Sequence, residues 1–300
     1  MLNSTSFHKP VLKETVISFL QGCSNRSVIV DATLGDGGHL KSILDVINKD
    51  ILILAIDRDL EAIERSKARL MSHGHFQTIK WLDDDYSKIH VWLKELDIKG
   101  VSFALFDLGV STHQLMDARR GFSLKSDGPL DMRMDTRQHL TASVIVNTWN
   151  KVKLGDIFSK YGEEPKARRI ADAIVSVRKK QKIVTTFDLL KIVEGIVGGK
   201  RANRRVHPAT KAFMALRIAT NDELNSLSYA INSFLEVLHP SGRIVVISYN
   251  SLEDRIVKKA FKDQAFGRMI TKKPIQPTYD DIKKNPRSRS AKLRCFEKKD

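Results

Sequence analysis

Asp31-Ala-Thr-Leu-Gly35-Asp-Gly37-Gly38-His39 is followed, about twenty residues on, by Ala55-Ile-Asp57. That is the usual distance from a glycine-rich turn to a ribose-binding acid. Strand, glycine turn, helix, second strand and acid together make the adenosine-holding end of a Rossmann-like sheet. A dinucleotide fingerprint starting at Gly35 needs a third glycine at position 40, where Leu40 stands, and this disfavours a nicotinamide-linked oxidoreductase. Asp31, four residues ahead of Gly35, instead gives an acid-x-x-x-G-x-G pattern. A carboxylate there can meet a ligand ammonium, and the turn need not hold a pyrophosphate. S-adenosylmethionine (SAM) has the first and lacks the second, so methyl transfer is the leading reading.

Asp107 is the next acid of this kind. It closes the apolar run Val101 to Phe106 and opens Asp107-Leu-Gly109-Val-Ser111, at the carboxyl end of a strand, where doubly wound sheets bind ligands. It is expected to lie nearest both the amino end of SAM and the methyl acceptor; the alternative is a turn-capping acid. Asp57 is expected to bind the ribose hydroxyls. Tyr86 either stacks on the adenine or is an ordinary core aromatic. His39 is either a cofactor contact or a satisfied helix-end histidine.

The elements that must position these residues alternate. Strands are expected at Val28–Ala32, Ile51–Ile56, Phe76–Leu82 and Val101–Phe106, with helices at His39–Ile47, Leu60–Met71 and Ile89–Leu96. The unbroken apolar strands suit a parallel sheet covered on both faces. The next comparable strand is Ile244–Ser248, preceded by a helix over Asp222–Leu238 with Asn221 as its cap and Pro240-Ser-Gly242 as the turn between them. Since a crossover unit commonly takes about thirty residues, roughly a hundred are inserted after the fourth strand. The expected architecture is α/β, a doubly wound, Rossmann-like sheet over residues 1–112 and 214–300. A mostly helical, basic substrate-recognition domain is expected over 113–213, with helices at Pro165–Lys180 and Phe187–Val197. Arg119–Asp135, rich in Gly, Asp and Arg, reads as a loop over the site. Its charged residues Arg119, Arg120, Asp131, Arg133 and Asp135 are expected to hold a flipped nucleotide. The tail from Thr271 reads as partly irregular.

The net charge of +16 is confined to two segments: +11 between Lys151 and Arg217, and +6 from Thr271 to Asp300. Such segregation fits a polyanion partner. Lys179, Lys180, Arg201, Arg204, Arg205, Arg287 and Arg289 are the candidate phosphate contacts. No apolar stretch is long enough for a membrane span, and Met1–Lys9 has no secretory h-region. The two cysteines, Cys23 and Cys295, are far apart and without metal-ligand spacing. A reduced, cytoplasmic protein with no metal site is expected.

Longer strings carry a family resemblance. His8-Lys-Pro-Val-Leu12, the Asp31–His39 turn, Ala55-Ile-Asp-Arg-Asp59, Asp107-Leu-Gly-Val-Ser111 with Gln114, and Arg120-Gly-Phe-Ser fall in the first half. Gly128-Pro-Leu-Asp-Met-Arg-Met-Asp135, Tyr161-Gly-Glu-Glu164, His207-Pro-Ala-Thr210 and Ala215-Leu-Arg-Ile218 follow. Ser251-Leu-Glu-Asp-Arg-Ile-Val-Lys258 and Asn285-Pro-Arg-Ser-Arg-Ser-Ala-Lys-Leu-Arg294 complete the set. With these the chain closely resembles the RsmH (MraW) family of SAM-dependent rRNA cytosine-N4 methyltransferases.

The resemblance implies a Rossmann-like class I SAM-dependent methyltransferase fold with an inserted helical domain, and methylation of the exocyclic N4 of a cytidine in the decoding region of small-subunit (16S) rRNA, within the assembled small ribosomal subunit. It is compatible with a homodimer. Carried over position by position, the SAM contacts fall on Gly37, Gly38, His39, Asp57, Tyr86, Asp107 and Gln114, and Asp107 is the catalytic candidate. Three places depart from the family pattern: Tyr249-Asn250 for Phe-His, Thr112-His113 for Ser-Pro, and Phe213-Met214 for Phe-Gln. Asn250 matters most, because a histidine there could touch substrate or cofactor. It keeps open a SAM-binding ribosome-assembly or RNA-binding factor whose catalysis has lapsed. A SAM methyltransferase with another nucleic-acid target is the remaining alternative.

Overall fold

A computed structural model describes residues 10–23, 27–48, 50–199 and 206–300. The chain divides into two compact units, residues 1–109 with 224–300, and residues 110–223.

The first unit begins with α1 (Lys13–Gln21), β1 (Val28–Asp31), α2 (Gly38–Leu44), β2 (Leu52–Asp57), α3 (Leu60–Leu70), β3 (Ile79–Asp83), α4 (Ile89–Glu95) and β4 (Val101–Asp107). The expected third strand is shorter than its apolar run, because Phe76–Thr78 forms a 3-10 turn. The second unit holds α5 (Thr112–Met116), α6 (Ala142–Thr148), α7 (Lys151–Lys160), α8 (Ala167–Arg178), α9 (Thr186–Val197) and α10 (Thr210–Asn221). The chain returns to the first unit through α11 (Glu223–Val237), then β5 (Leu238–Ser248), α12 (Ser251–Lys262), β6 (Gly267–Met269), α13 (Tyr279–Lys284) and β7 (Lys292–Lys298).

The described strands form a seven-stranded sheet in the order β3-β2-β1-β4-β5-β7-β6. β3, β2, β1, β4 and β5 run parallel, and β7 is antiparallel to both β5 and β6. The order reverses between β1 and β4, and at such a switch point the strand ends diverge to leave a ligand crevice. Alternate residues of each parallel strand point to opposite faces, and both faces are covered. Val30, Leu54, Ala104, Phe106 and Val246 pack with Leu227, Ile231, Phe234, Val257 and Phe261. Ile29, Ile53, Phe103, Leu105 and Ile247 pack with Val16, Leu20, Leu40, Ile43 and Ile63. This explains why the strands read as continuous apolar runs.

Three sequence expectations are corrected in this unit. Pro240-Ser-Gly242 lies inside β5. Val101 pairs with Leu238 and Phe103 with Arg243, so the extra residues form a bulge with Ser241 at φ 56°. The tail from Thr271 contains an inner strand, β7, with Leu293, Cys295 and Phe296 fully buried. Asn221, expected ahead of α11 as its cap, is the last residue of α10, and its side chain accepts from Met134 N–H (2.7 Å) and donates to the carbonyls of Met132 (2.7 Å) and Arg217 (2.9 Å).

The second unit has its own core, in which Ile145, Leu154, Phe158, Ile170, Ile174, Leu189, Phe213 and Leu216 are buried. Helices α6, α7 and α9 start at the capping residues their sequence supplies: Thr141, Asn150 and Thr185, the last completing a reciprocal box with Asp188. Because Ala215, Leu216 and Ile218 of α10 are buried and α10 packs on α6 and α7, this unit extends to residue 223, ten beyond the boundary drawn from sequence. Among the described residues no helix is long and apolar enough to cross a membrane.

Candidate functional site

Three of the acids singled out in the sequence are the last residues of neighbouring strands: Asp31 of β1, Asp57 of β2 and Asp107 of β4. The parallel register brings these ends to one edge of the sheet. Between β1 and α2 the chain makes a turn with Gly35 at φ 51° and Gly37 at φ 69°. A Cβ on Gly37 would sit in the left-handed region and 2.9 Å from Ser66 Oγ, so glycine is required there. Helix α3 pins the turn. Ser66 Oγ donates to the Gly35 carbonyl (3.0 Å), Arg65 Nε to Asp36 Oδ1 (3.0 Å) and Arg69 Nη1 to the Asp36 carbonyl (2.7 Å).

Asp57 ties the turn to the second strand. Its Oδ2 accepts from Gly35 N–H (2.8 Å) and its Oδ1 from Asp59 N–H (2.9 Å). The carboxyl keeps some exposed surface, yet burial pushes its pKa up to about 6 against these two donors. Asp31 is more confined. Its Oδ1 accepts a long bond from Thr33 N–H (3.3 Å), while Oδ2 is buried with no hydrogen-bond partner. Burial, against the opposing charge of His39 and with the added repulsion of Asp107 and Asp57, raises its pKa to about 7. A buried carboxylate oxygen without a donor, beside an open glycine turn, is what a cationic ligand group would complete.

These raised values fix a pH dependence. Between pH ~4 and ~7 the native state holds protons on Asp31 and Asp57 that the unfolded chain has released, so stability falls as pH rises through that window. For Asp31 alone the difference is on the order of 4 kcal/mol. Asp31→Asn is therefore expected to raise the melting temperature of the ligand-free protein at pH 8 and leave it nearly unchanged at pH 5. Thermal denaturation at the two pH values checks this. Equal shifts at both would show that Asp31 ionises without cost.

Asp107 is held by contacts that the sequence did not announce. Its backbone N–H donates to Thr33 Oγ1 (2.6 Å). Its Oδ1 accepts from the Tyr249 hydroxyl (2.7 Å), and its Oδ2 lies 3.5 Å from Nε2 of the buried His39. About a quarter of the Asp107 side chain remains exposed. The site thus presents a partly open carboxylate beside a closed one, at the switch point of the sheet.

The model of the MraW methylase family matches residues 5–299. The chain belongs to this family. The MraW-family relatives include a protein of Halothermothrix orenii named ribosomal RNA small subunit methyltransferase H. It is 43% identical over 97% of this chain and 98% of its own length. Proteins of the same name from Persephonella marina (45% identical, over 97% of this chain and 99% of theirs) and Syntrophus aciditrophicus (42%, 98% and 98%) are similarly close.

The remaining candidate residues of this MraW-family chain fall in different settings. Gly38 and His39 open α2. Tyr86 follows β3 and is partly buried. Its ring meets Phe106 edge-on at 5.5 Å, and the Arg58 guanidinium, itself paired with Asp85, lies 5.5 Å from the ring centroid. Gln114 is in the second unit, where its Oε1 accepts from Ser111 N–H (3.0 Å) while Ser111 Oγ accepts from Gln114 N–H (3.1 Å). That reciprocal cap is a sufficient local reason for a buried glutamine at this position. Asn250, the departure singled out from sequence, caps α12: its Oδ1 accepts from Leu252 and Glu253 N–H, both at 3.0 Å.

The loop arginines are engaged with their own loop. Buried Arg120 donates to the carbonyls of Arg133 (3.1 Å) and Met134 (2.9 Å). Arg133 pairs with Asp131 (2.7 Å) and donates to the carbonyls of Thr136 and Gln138. These contacts shape the loop. Lys179, Lys180, Arg287 and Arg289 are exposed, whereas Arg201, Arg204 and Arg205 lie outside the described residues.

Proposed function

We propose that the chain transfers a methyl group from SAM to the exocyclic N4 of a cytidine in the decoding region of small-subunit rRNA, acting on the assembled small subunit. The observation that carries the chemistry is the pairing of a partnerless buried carboxylate oxygen, on Asp31, with a partly open carboxylate, on Asp107, at neighbouring strand ends. The names of the family relatives support the RNA target.

SAM, when bound, supplies an electrophilic methyl sulfonium. Asp31 meets its ammonium, the Gly37–His39 turn lets its backbone approach, and Asp57 reaches the ribose through the lone pairs its two amide donors leave free. Tyr86 borders the adenine, and the family resemblance adds Gln114 to the SAM contacts. Cytosine N4 is a weak nucleophile because its lone pair is delocalised into the ring, so alignment is the main task. Asp107 Oδ2 accepts a hydrogen bond from the amino group, favours a pyramidal nitrogen and takes up the proton after transfer. The exposed lysines and arginines of residues 110–223, with Arg287 and Arg289, bind phosphates without reading sequence. Asn250 serves as a helix cap, a role that needs no histidine and leaves the Asp107 chemistry intact.

The test is transfer of labelled methyl from SAM to small subunits lacking the modification, with nucleoside analysis of the product. N4-methylcytidine is the expected outcome. SAM and subunits both bound without transfer would favour the assembly-factor reading. If six or more phosphates are contacted, affinity for the RNA is expected to fall at least about a thousandfold between 50 and 200 mM salt. A salt-independent affinity in a filter-binding titration would remove the phosphate-binding role.

A further inference from the structure

The sequence marks Tyr249 only as a departure, with Asn250, from the family's Phe-His, and its surroundings assign it a role. It is the residue after β5, two places beyond Ile247, which is in register with Asp107 on the adjacent strand. Its backbone N–H donates to Oε2 of the buried Glu253 (2.8 Å), and its hydroxyl donates to Asp107 Oδ1 (2.7 Å). The chain after Asp107 turns at Gly109, whose φ of 96° favours glycine, and runs beside the Tyr249 ring at ordinary contact distance. The side chain is thus anchored at both ends, and Asp107 is fixed twice, by Tyr249 at its carboxylate and by Thr33 at its backbone.

We propose that Tyr249 is a positioning residue for methyl transfer: its hydroxyl occupies Asp107 Oδ1, fixing the carboxylate rotamer so that Oδ2 alone is turned toward the amino group of the acceptor. This rests on the role given to Asp107 above and deepens it. Burial, together with the adjacent Asp107 charge, keeps the phenol far from ionising, so it acts only as a donor toward Asp107. A hydrogen bond to a charged group that both orients it and excludes a second acceptor geometry is worth about tenfold or more in rate when the chemical step limits.

The test is Tyr249→Phe, which removes one oxygen and keeps the ring. Expected is a fall in kcat of about tenfold with KM for SAM and for the RNA changed less than about twofold, because the hydroxyl is assigned to Asp107 and to neither ligand. In an Asp107→Asn background the same change is expected to have less than about twofold further effect in single-turnover assays, whereas a general loosening of the site would add its full cost. A second readout needs no turnover. The infrared carboxylate band isolated as the difference between the protein and its Asp107→Asn variant is expected to move when Tyr249 is Phe. An unmoved band, an unchanged kcat, or additive effects would each overturn the proposal. A protein that transfers no methyl at all would overturn the reaction assigned to Asp107, and the infrared band would then decide the placement of Tyr249 by itself.

Discussion

Replacing Asp107 by alanine is expected to lower methyl transfer by about a thousandfold while SAM still binds. A positioned acceptor that takes a proton in the reaction typically contributes between about a hundredfold and ten-thousandfold, and Asp107 also orients the nucleophile, so the upper half of that range is expected. The effect should fall on kcat, with the KM for RNA nearly unchanged, because the phosphate contacts proposed above do not involve Asp107. Alanine also strips the Tyr249 hydroxyl of its acceptor inside the protein, a cost of about 1–3 kcal/mol in stability. Asp107→Asn separates the two effects. Its amide oxygen still accepts from Tyr249, yet the group that faces the amine is now a poor base or a competing donor. The asparagine variant should therefore be nearly as slow as alanine while melting close to the parent protein. Single-turnover rates and melting curves for both variants check this. A fully active Asp107→Asn would place the proton acceptor elsewhere.

What could be read from the sequence follows how local its physical cause is. The Asp31–His39 turn is legible because the left-handed backbone at Gly35 and Gly37 demands glycine, and the strands around it because burial on both faces leaves unbroken apolar runs. Asp57 and Asp107 stand out because they end such runs. Gln114 and Asn250 are harder, since a capping side chain and a ligand-binding side chain draw on the same polar residue types. Tyr249 and Thr33 are invisible locally: their partner is Asp107, distant along the chain. The strand β7 was hidden by its charges. Leu293 and Cys295 alternate with Lys292 and Arg294 as in any half-buried strand, but the lysine- and proline-rich surroundings suggested an irregular basic arm. Arg294 is buried because Asp254, on α12, neutralises it at 2.7 and 3.2 Å. Although burial acts against it, that bond and charge hold the Asp254 pKa below its usual range.

The place of β7 leads to an expected result opposite to that for a basic arm. Ending the chain at Ser290 removes six residue pairings with β5 and three with β6, and it exposes Val245 and Ile247 on a bare sheet edge. It also deletes Leu293, Cys295 and Phe296, all fully buried, with Phe296 in ring contact with Phe261 and Phe266. Losing a buried leucine costs about 2–5 kcal/mol and a buried phenylalanine about 3–5, and Asp254 is left without its arginine. These losses together match or exceed the ~5–15 kcal/mol by which a domain is stable. The truncated protein is therefore expected to lose cooperative unfolding and SAM binding, and to aggregate through the open β5 edge. A removable RNA-binding arm would instead leave melting temperature and SAM affinity untouched while weakening RNA binding alone. The substitution Asp254→Leu tests the same account without deleting chain. It keeps β7 but strands the Arg294 guanidinium in the interior, for an expected loss of about 3–5 kcal/mol in urea unfolding. Arg287→Ala and Arg289→Ala, exposed on the turn just before β7, should leave stability unchanged and lower RNA affinity. The separation of these outcomes locates the boundary between charge that folds the tail and charge that binds phosphate between Ser290 and Lys292.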